Sequence, residues 1–143
     1  MVIGGSCHCG NISFQLEWPQ DAAQIPARAC TCSFCSKHGG VWTSHAGAAL
    51  VMHVASAELV SRYTCGTGTA TFHVCRRCGV VPVVTCELDA RMYAVVNVNA
   101  FQNVEPTLLL RSAAEFAGED LEARLERRKR NWIANVRVVE AAP

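Results

Sequence analysis

Charge of either sign is scarce in this chain and almost balanced: 13 Lys and Arg stand against 12 Asp and Glu in 143 residues, a formal net charge of +1. Such a balance predicts neither a polyanionic partner nor strong steering of charged ligands, so nucleic acid is not expected as a partner. An export signal is missing from the opening residues, MVIGGSCHCG, which have no charged leader followed by an apolar core; a cytoplasmic location is the expectation. A long uninterrupted apolar run is missing too. Gly39 to Ala57 carries no Asp, Glu, Lys or Arg and is about as long as a bilayer span, but glycines, Thr43, Ser44 and two histidines break it. A pair of buried strands is the expected reading, with no membrane association. Internal repeats, low-complexity tracts and an evident interdomain linker are likewise lacking.

What is abundant is cysteine. Of nine, seven fall in three tight clusters: Cys7 and Cys9 in GSCHCGN, Cys30, Cys32 and Cys35 in ACTCSFCSKHGG, and Cys75 and Cys78 in HVCRRCGV. A chain of about 150 residues buries ~70% of its unfolded surface, so disulfides are not needed to make up for a missing core. Without a secretory signal, clustered thiols are read as metal ligands or nucleophiles before disulfides. Zinc closes a structural site with four ligands and leaves a catalytic one with three and an open position, and seven divides as four plus three. Two partitions compete. Cys32/Cys35 with Cys75/Cys78 would make an ordinary zinc ribbon and strand the other three. Cys7/Cys9 with Cys75/Cys78 leaves Cys30, Cys32 and Cys35 as a second site, and uses all seven. His38, three residues after Cys35, is a candidate fourth ligand that would close that site. Cys65 and Cys86 are expected as small buried hydrophobes, and His8, His45, His53 and His73 as packing or surface residues.

The elements expected are mostly short strands. Asn11–Trp18 alternates Ile12, Phe14, Leu16 and Trp18 with polar residues, the period of a half-buried strand ended by Pro19. Residues 19–29 are expected to be irregular. VWTSHAG and ALVMHVA follow as strands, then a hairpin of Leu59–Tyr63 and Thr69–Val74, with Gly79 suited to a tight knuckle after Cys78. Val80–Glu87 and Met92–Val98 form another strand pair. Leu121, Leu125, Trp132, Ile133 and Val136 recur near helical spacing, predicting one amphipathic helix over Glu119 to Val136. The run Arg127-Arg128-Lys129-Arg130 is expected to be its solvated face. Together these give a mainly β fold of short antiparallel strands with one C-terminal helix. A single domain over 1–143 is expected, with a core of about 4–100 and an extension bearing the helix at about 119–136.

GSCHCGNISFQLE, ACTCSFCSKHGG and TFHVCRRCGVVP, in this order and at these separations, resemble the glutathione-dependent formaldehyde-activating enzyme family, which includes centromere protein V. The resemblance spans roughly residues 4–100. It implies a β-tent fold, a structural zinc on Cys7, Cys9, Cys75 and Cys78, and a catalytic zinc on Cys30, Cys32 and Cys35. It also implies glutathione and formaldehyde as reactants. Ser36-Lys37 keeps one of the two basic residues common in the family at that point. A zinc with three thiolates favours deprotonation of an incoming thiol over generation of hydroxide, which points to carbon–sulfur lyase chemistry on a thiol adduct. Lys37 is the candidate to hold a substrate carboxylate. No feature of the sequence specifies an oligomeric state.

Overall fold

The computed structural model describes residues 1–141. In chain order the elements are β1 (Val2–Ser6), β2 (Ile12–Glu17), β3 (Ile25–Cys30), α1 (Ser33–His38), β4 (Val41–Thr43), β5 (Ala49–Val54), β6 (Val60–Tyr63), β7 (Thr71–Cys75), β8 (Val83–Leu88), β9 (Arg91–Asn97), β10 (Phe101–Gln102), β11 (Leu109–Ala114), α2 (Leu121–Asn131) and β12 (Asn135–Glu140). They build two sheets, in the orders β10-β1-β2-β5-β12 and β11-β3-β4-β9-β8-β7-β6. The expected mainly β architecture with its C-terminal helix is present. Pairing is antiparallel except at β11 with β3 and β12 with β5, where connections carrying a helix or a longer segment allow parallel strands.

The central strands β8 and β9 of the larger sheet are buried on both faces, and that decides where a site can form. Val83, Ala94 and Val96 turn to the smaller sheet and join Ile12, Phe14 and Leu16 in one core. Alternate residues on the same strands, Val84, Cys86, Tyr93 and Val95, turn the other way, toward Trp42, Phe72 and Trp132. A strand buried on both sides has no polar alternation, which is why Val80–Glu87 reads as a nearly continuous apolar run. The β8–β9 turn uses positive φ at Asp89 (53°) and Ala90 (63°).

Several expectations need correction. Residues 19–29 are not wholly irregular: Ile25 and Ala27 are fully buried in β3. Two alternating apolar residues around Pro26 are a weak strand signal, and proline argues against a strand. VWTSHAG and ALVMHVA do not pair with each other, since β4 lies in the larger sheet and β5 in the smaller. The helix predicted through Val136 stops at Asn131, and Trp132 is already extended with ψ 156°. Ile133 instead bridges to Ala94, and Val136 enters β12 beside β5. Val136, Val138 and Val139 favour a strand, and an open sheet edge was available to pair with them. The strands β1, β11 and β12 and the short helix α1 were not anticipated.

Candidate metal centres and their cavity

Cys7 and Cys9 lie in the β1–β2 turn, closed by the Cys7 amide donating to Ile12 O at 2.8 Å and by Gly10 at φ 85°. Cys75 ends β7, and Cys78 follows in a knuckle where Gly79 takes φ 81° and its amide donates to Cys75 O. Glycine is required at both turns, because a side chain at positive φ is strained. The fold brings the four Sγ atoms within 4.8 Å of one another. Cys7 to Cys9 is 3.8 Å and Cys9 to Cys75 is 3.5 Å. Four thiolates at about 2.3 Å from a tetrahedral zinc stand about 3.8 Å apart, so this donor set fits that ion. Among the two competing partitions, the structure makes the one that joins the first pair to the last.

Two of these thiols, Cys7 and Cys78, are shifted in opposite directions. Burial pushes Cys7 up to about 12, against the Ile12 amide, which donates to its Sγ at 3.3 Å. Burial also raises Cys78, but amides of Val80 and Cys9 and the thiols of Cys75 and Cys7 outweigh it and hold Cys78 at about 6. Backbone donors aimed at sulfur stabilise a thiolate before any cation is considered.

Cys30, Cys32 and Cys35 form the second group, again with Sγ atoms within 4.8 Å of one another. Cys30 ends β3, Cys32 caps α1 by accepting from the Cys35 amide at 3.3 Å, and Cys35 is buried inside the helix. Trp42 Nε1–H donates to Cys35 Sγ at 3.4 Å. The Cys35 thiol, along with the Cys32 amide and thiol and the nearby Arg124, holds Cys30 down to about 5. The same contact with Cys30, with burial, pushes Cys35 up. Among the described residues no fourth Cys, His, Asp or Glu joins the trio. His38 stands apart, its ring 4.3 Å from that of Phe34 and 6.5 Å from that of Phe72, with Nε2 buried and unpartnered.

The trio faces a cavity of about 410 Å³. Part of its wall is apolar: Trp42, Phe72, Val84, Val95 and Trp132. Another part is cationic, with Arg28, Arg124, Arg127 and Arg128 against Glu115. Arg28 comes from β3, half-buried and without an ion pair among the described residues. The other three arginines stand at i, i+3 and i+4 on α2, one face of the helix. Glu119 takes Arg127 through two hydrogen bonds of 2.9 and 3.1 Å and lies 3.3 Å from Arg124 Nε, and the Arg127 guanidinium stacks 3.7 Å above Phe116. Hydrogen bonding from Arg127 holds the Glu119 carboxyl below its usual range. Ser44 Oγ donates to Asn131 O at 2.8 Å, docking the end of α2 beside β4.

The expectation of a solvated basic face is therefore corrected. Arg128 is 6% exposed, donates through Nη1 to Thr69 Oγ1 and Cys86 Sγ, and lies 4.9 Å from the Trp132 ring. Lys129 pairs outward with Asp89. Cys86 is buried as expected, whereas Cys65 is only half-buried and lines the cavity. Lys37 is exposed on α1 and is not among the lining residues. The arginine wall was missed because a helical face of charges reads as solvent-facing; the i, i+3, i+4 spacing of Arg124, Arg127 and Arg128 was the available signal.

Comparison with known proteins gives three findings. The family described as glutathione-dependent formaldehyde-activating enzyme matches residues 2–116. A Halomonas elongata protein carrying the provisional name glutathione-dependent formaldehyde-activating enzyme is 34% identical over 85 residues, 54% of this chain and 52% of that one. The chain thus spans about half the length of this curated relative. A crystal structure of a Rhodobacter sphaeroides protein superposes with a TM-score of 0.52 at 30% identity, covering 72% of this chain and 91% of that one.

Proposed function

The chain belongs to the glutathione-dependent formaldehyde-activating enzyme family, and on that premise we propose that it makes or breaks a carbon–sulfur bond in a glutathione-type thiol adduct. S-hydroxymethylglutathione is the adduct that the family name suggests, and the reaction class is that of a zinc-dependent carbon–sulfur lyase. The observation that carries this reading is the trio Cys30, Cys32 and Cys35, three thiols without a fourth protein ligand among the described residues, at the wall of a cavity large enough for a small substrate.

In this reading Cys30, Cys32 and Cys35 would hold one zinc ion, and Cys7, Cys9, Cys75 and Cys78 another. Held by Cys30, Cys32 and Cys35, zinc would lower the pKa of a substrate thiol and so supply a nucleophilic sulfur at neutral pH. The protein's own groups do the rest. Trp42 N–H fixes Cys35, and the α1 cap fixes Cys32. Arg28, half-buried and without an ion pair among the described residues, offers positive charge to a substrate carboxylate at the cavity wall. The apolar wall excludes water, so an adduct is not hydrolysed before release. In the forward direction the thiol sulfur joins the carbonyl carbon and the S–H proton passes to the carbonyl oxygen; cleavage returns both. The four-cysteine group ties the β1–β2 turn to the end of β7 and is assigned a bracing role.

The test is metal-site spectroscopy on the metal-loaded chain with and without glutathione. Two metal ions per chain are expected, one with a coordination that changes when the thiol is added. A single ion, or two sites blind to glutathione, overturns the reading.

A further inference from the structure

The larger sheet and α2 each bring a cation to the trio. In the β3–β4 pairing Arg28 stands opposite Trp42, and Cys30 follows two residues later, so Arg28, Cys30 and Trp42 project from one face of the sheet toward the cavity they line. α2 covers that face, and Arg124 lines the same cavity with 21% of its side chain exposed. Its charge reaches the trio, since it contributes to holding Cys30 down. The two other arginines of α2 are engaged elsewhere. Arg127 takes both oxygens of Glu119 and stacks on Phe116, and Arg128 is buried against Thr69, Cys86 and Trp132.

Arg28 and Arg124 are short of carboxylate partners. Arg28 has no ion pair among the described residues, and Glu119, 3.3 Å from Arg124 Nε, is shared with Arg127, so two guanidiniums divide one carboxylate. A cation partly withdrawn from water is stabilised by an anion within reach, and the planar fork of a guanidinium matches a carboxylate. A thiol with a carboxylate on each side of its sulfur can set both against these arginines while the sulfur lies at the trio. Arg124 stands beyond residue 116, where the family match ends, so its place at the site is not part of what membership implies.

We propose that Arg28 and Arg124 select the thiol by binding carboxylates on either side of its sulfur, which makes α2 a specificity element of the site. The inference rests on the thiol-adduct reading above and narrows its thiol to a doubly carboxylated one, as glutathione is, against neutral and cationic thiols of similar size.

Blocking the carboxylates separates this inference from the reading on which it rests. Binding of glutathione, its two monoethyl esters and its diethyl ester to the zinc-loaded full chain is measured by isothermal titration calorimetry. Each esterification is expected to weaken binding about tenfold, the scale of one charge-assisted hydrogen bond. The advantage of glutathione over its diethyl ester should shrink as salt is raised, a readout that needs no variant. Arg28→Met should weaken glutathione about tenfold and leave one monoester as it was; Arg124→Met should do the same and spare the other monoester. Arg124→Lys, which keeps the charge, should recover most of that loss. If glutathione and its diethyl ester bind equally well, the inference falls and the thiol-adduct reading stands. It falls in the same way if the esters bind weakly but neither variant changes the pattern. If neither glutathione nor any ester binds, both fall.

Discussion

The two cysteine groups are chemically alike and built in opposite ways. Cys7, Cys9, Cys75 and Cys78 come from two turns far apart in sequence, they number four, and amides of Ile12, Val80 and Cys9 already point at their sulfurs. Cys30, Cys32 and Cys35 come from one continuous stretch, they number three, and they open on a cavity. A group assembled from distant segments ties those segments together, and losing it loosens the fold. A group supplied by the end of one strand and the short helix that follows it ties no distant segments together, and is free to serve a visiting ligand.

The largest effect that separates them is on folding. Replacing Cys75 with Ser removes a fully buried member of the four. Structural zinc contributes about 10–16 kcal/mol in small zinc domains, more than a domain's typical net stability of about 5–15 kcal/mol, so Cys75→Ser should be largely unfolded by circular dichroism. Cys32→Ser should keep native circular dichroism, lose one metal ion per chain and lose at least about a hundredfold in thiol-dependent turnover. If both variants unfold, or both stay folded and active, the contrast drawn between the groups is wrong.

Trp42→Phe sharpens the comparison at smaller cost. It removes the donor 3.4 Å from Cys35 Sγ and keeps most of the ring, so the affinity of the trio for an added metal ion should fall ~10–100-fold while that of the four-cysteine group is unchanged. Titration with a chelator reads both. Thr43→Val should raise stability by about 1 kcal/mol in the absence of ligand, because a buried hydroxyl without a partner is removed at constant shape; a lower midpoint in denaturant would count against an unsatisfied Thr43.

The smallest effect concerns acid. Glu119 is held below the usual carboxylate range by Arg127, with 15% of its side chain exposed. A carboxyl with a lowered folded pKa contributes stability that is present above the unfolded value of about 4.3 and is lost as pH falls through the folded one. Glu119→Gln should lower the thermal midpoint at neutral pH, and the gap to the parent should close as the pH falls below the usual carboxylate range. A gap that is constant with pH would assign Glu119 no such role.

Much of this contrast was legible in the linear chain, and the failures have identifiable causes. Ile12, Phe14 and Leu16 alternate cleanly, and β2 lies where that pattern puts it. The hairpin around Gly66 and Gly68 likewise follows its turn residues. β3, β11 and β12 were not legible, since their stability comes from pairing with partners distant in sequence and not from their own periodicity. Trp132 and Ile133 fit helical spacing and still left the helix, because a bridge to Ala94 and a place beside β5 were available. The arginines of α2 misled for a related reason. Local pattern marks a charged face as solvent-facing, and only the position of α2 beside the larger sheet turns Arg124, Arg127 and Arg128 toward a cavity.

The chain by itself determined the number and grouping of its thiols, because ligands two or three residues apart must meet in any compact turn. It also determined that short strands would dominate, since short alternating and β-branched runs have few other ways to bury their apolar side. Only the tertiary structure decided which pairs of cysteines combine, that His38 packs among aromatic rings away from the trio, and that the second group faces a half-apolar, half-cationic cavity. Those outcomes depend on which segments pack against which, a long-range balance of burial and pairing that spacing along the chain does not encode.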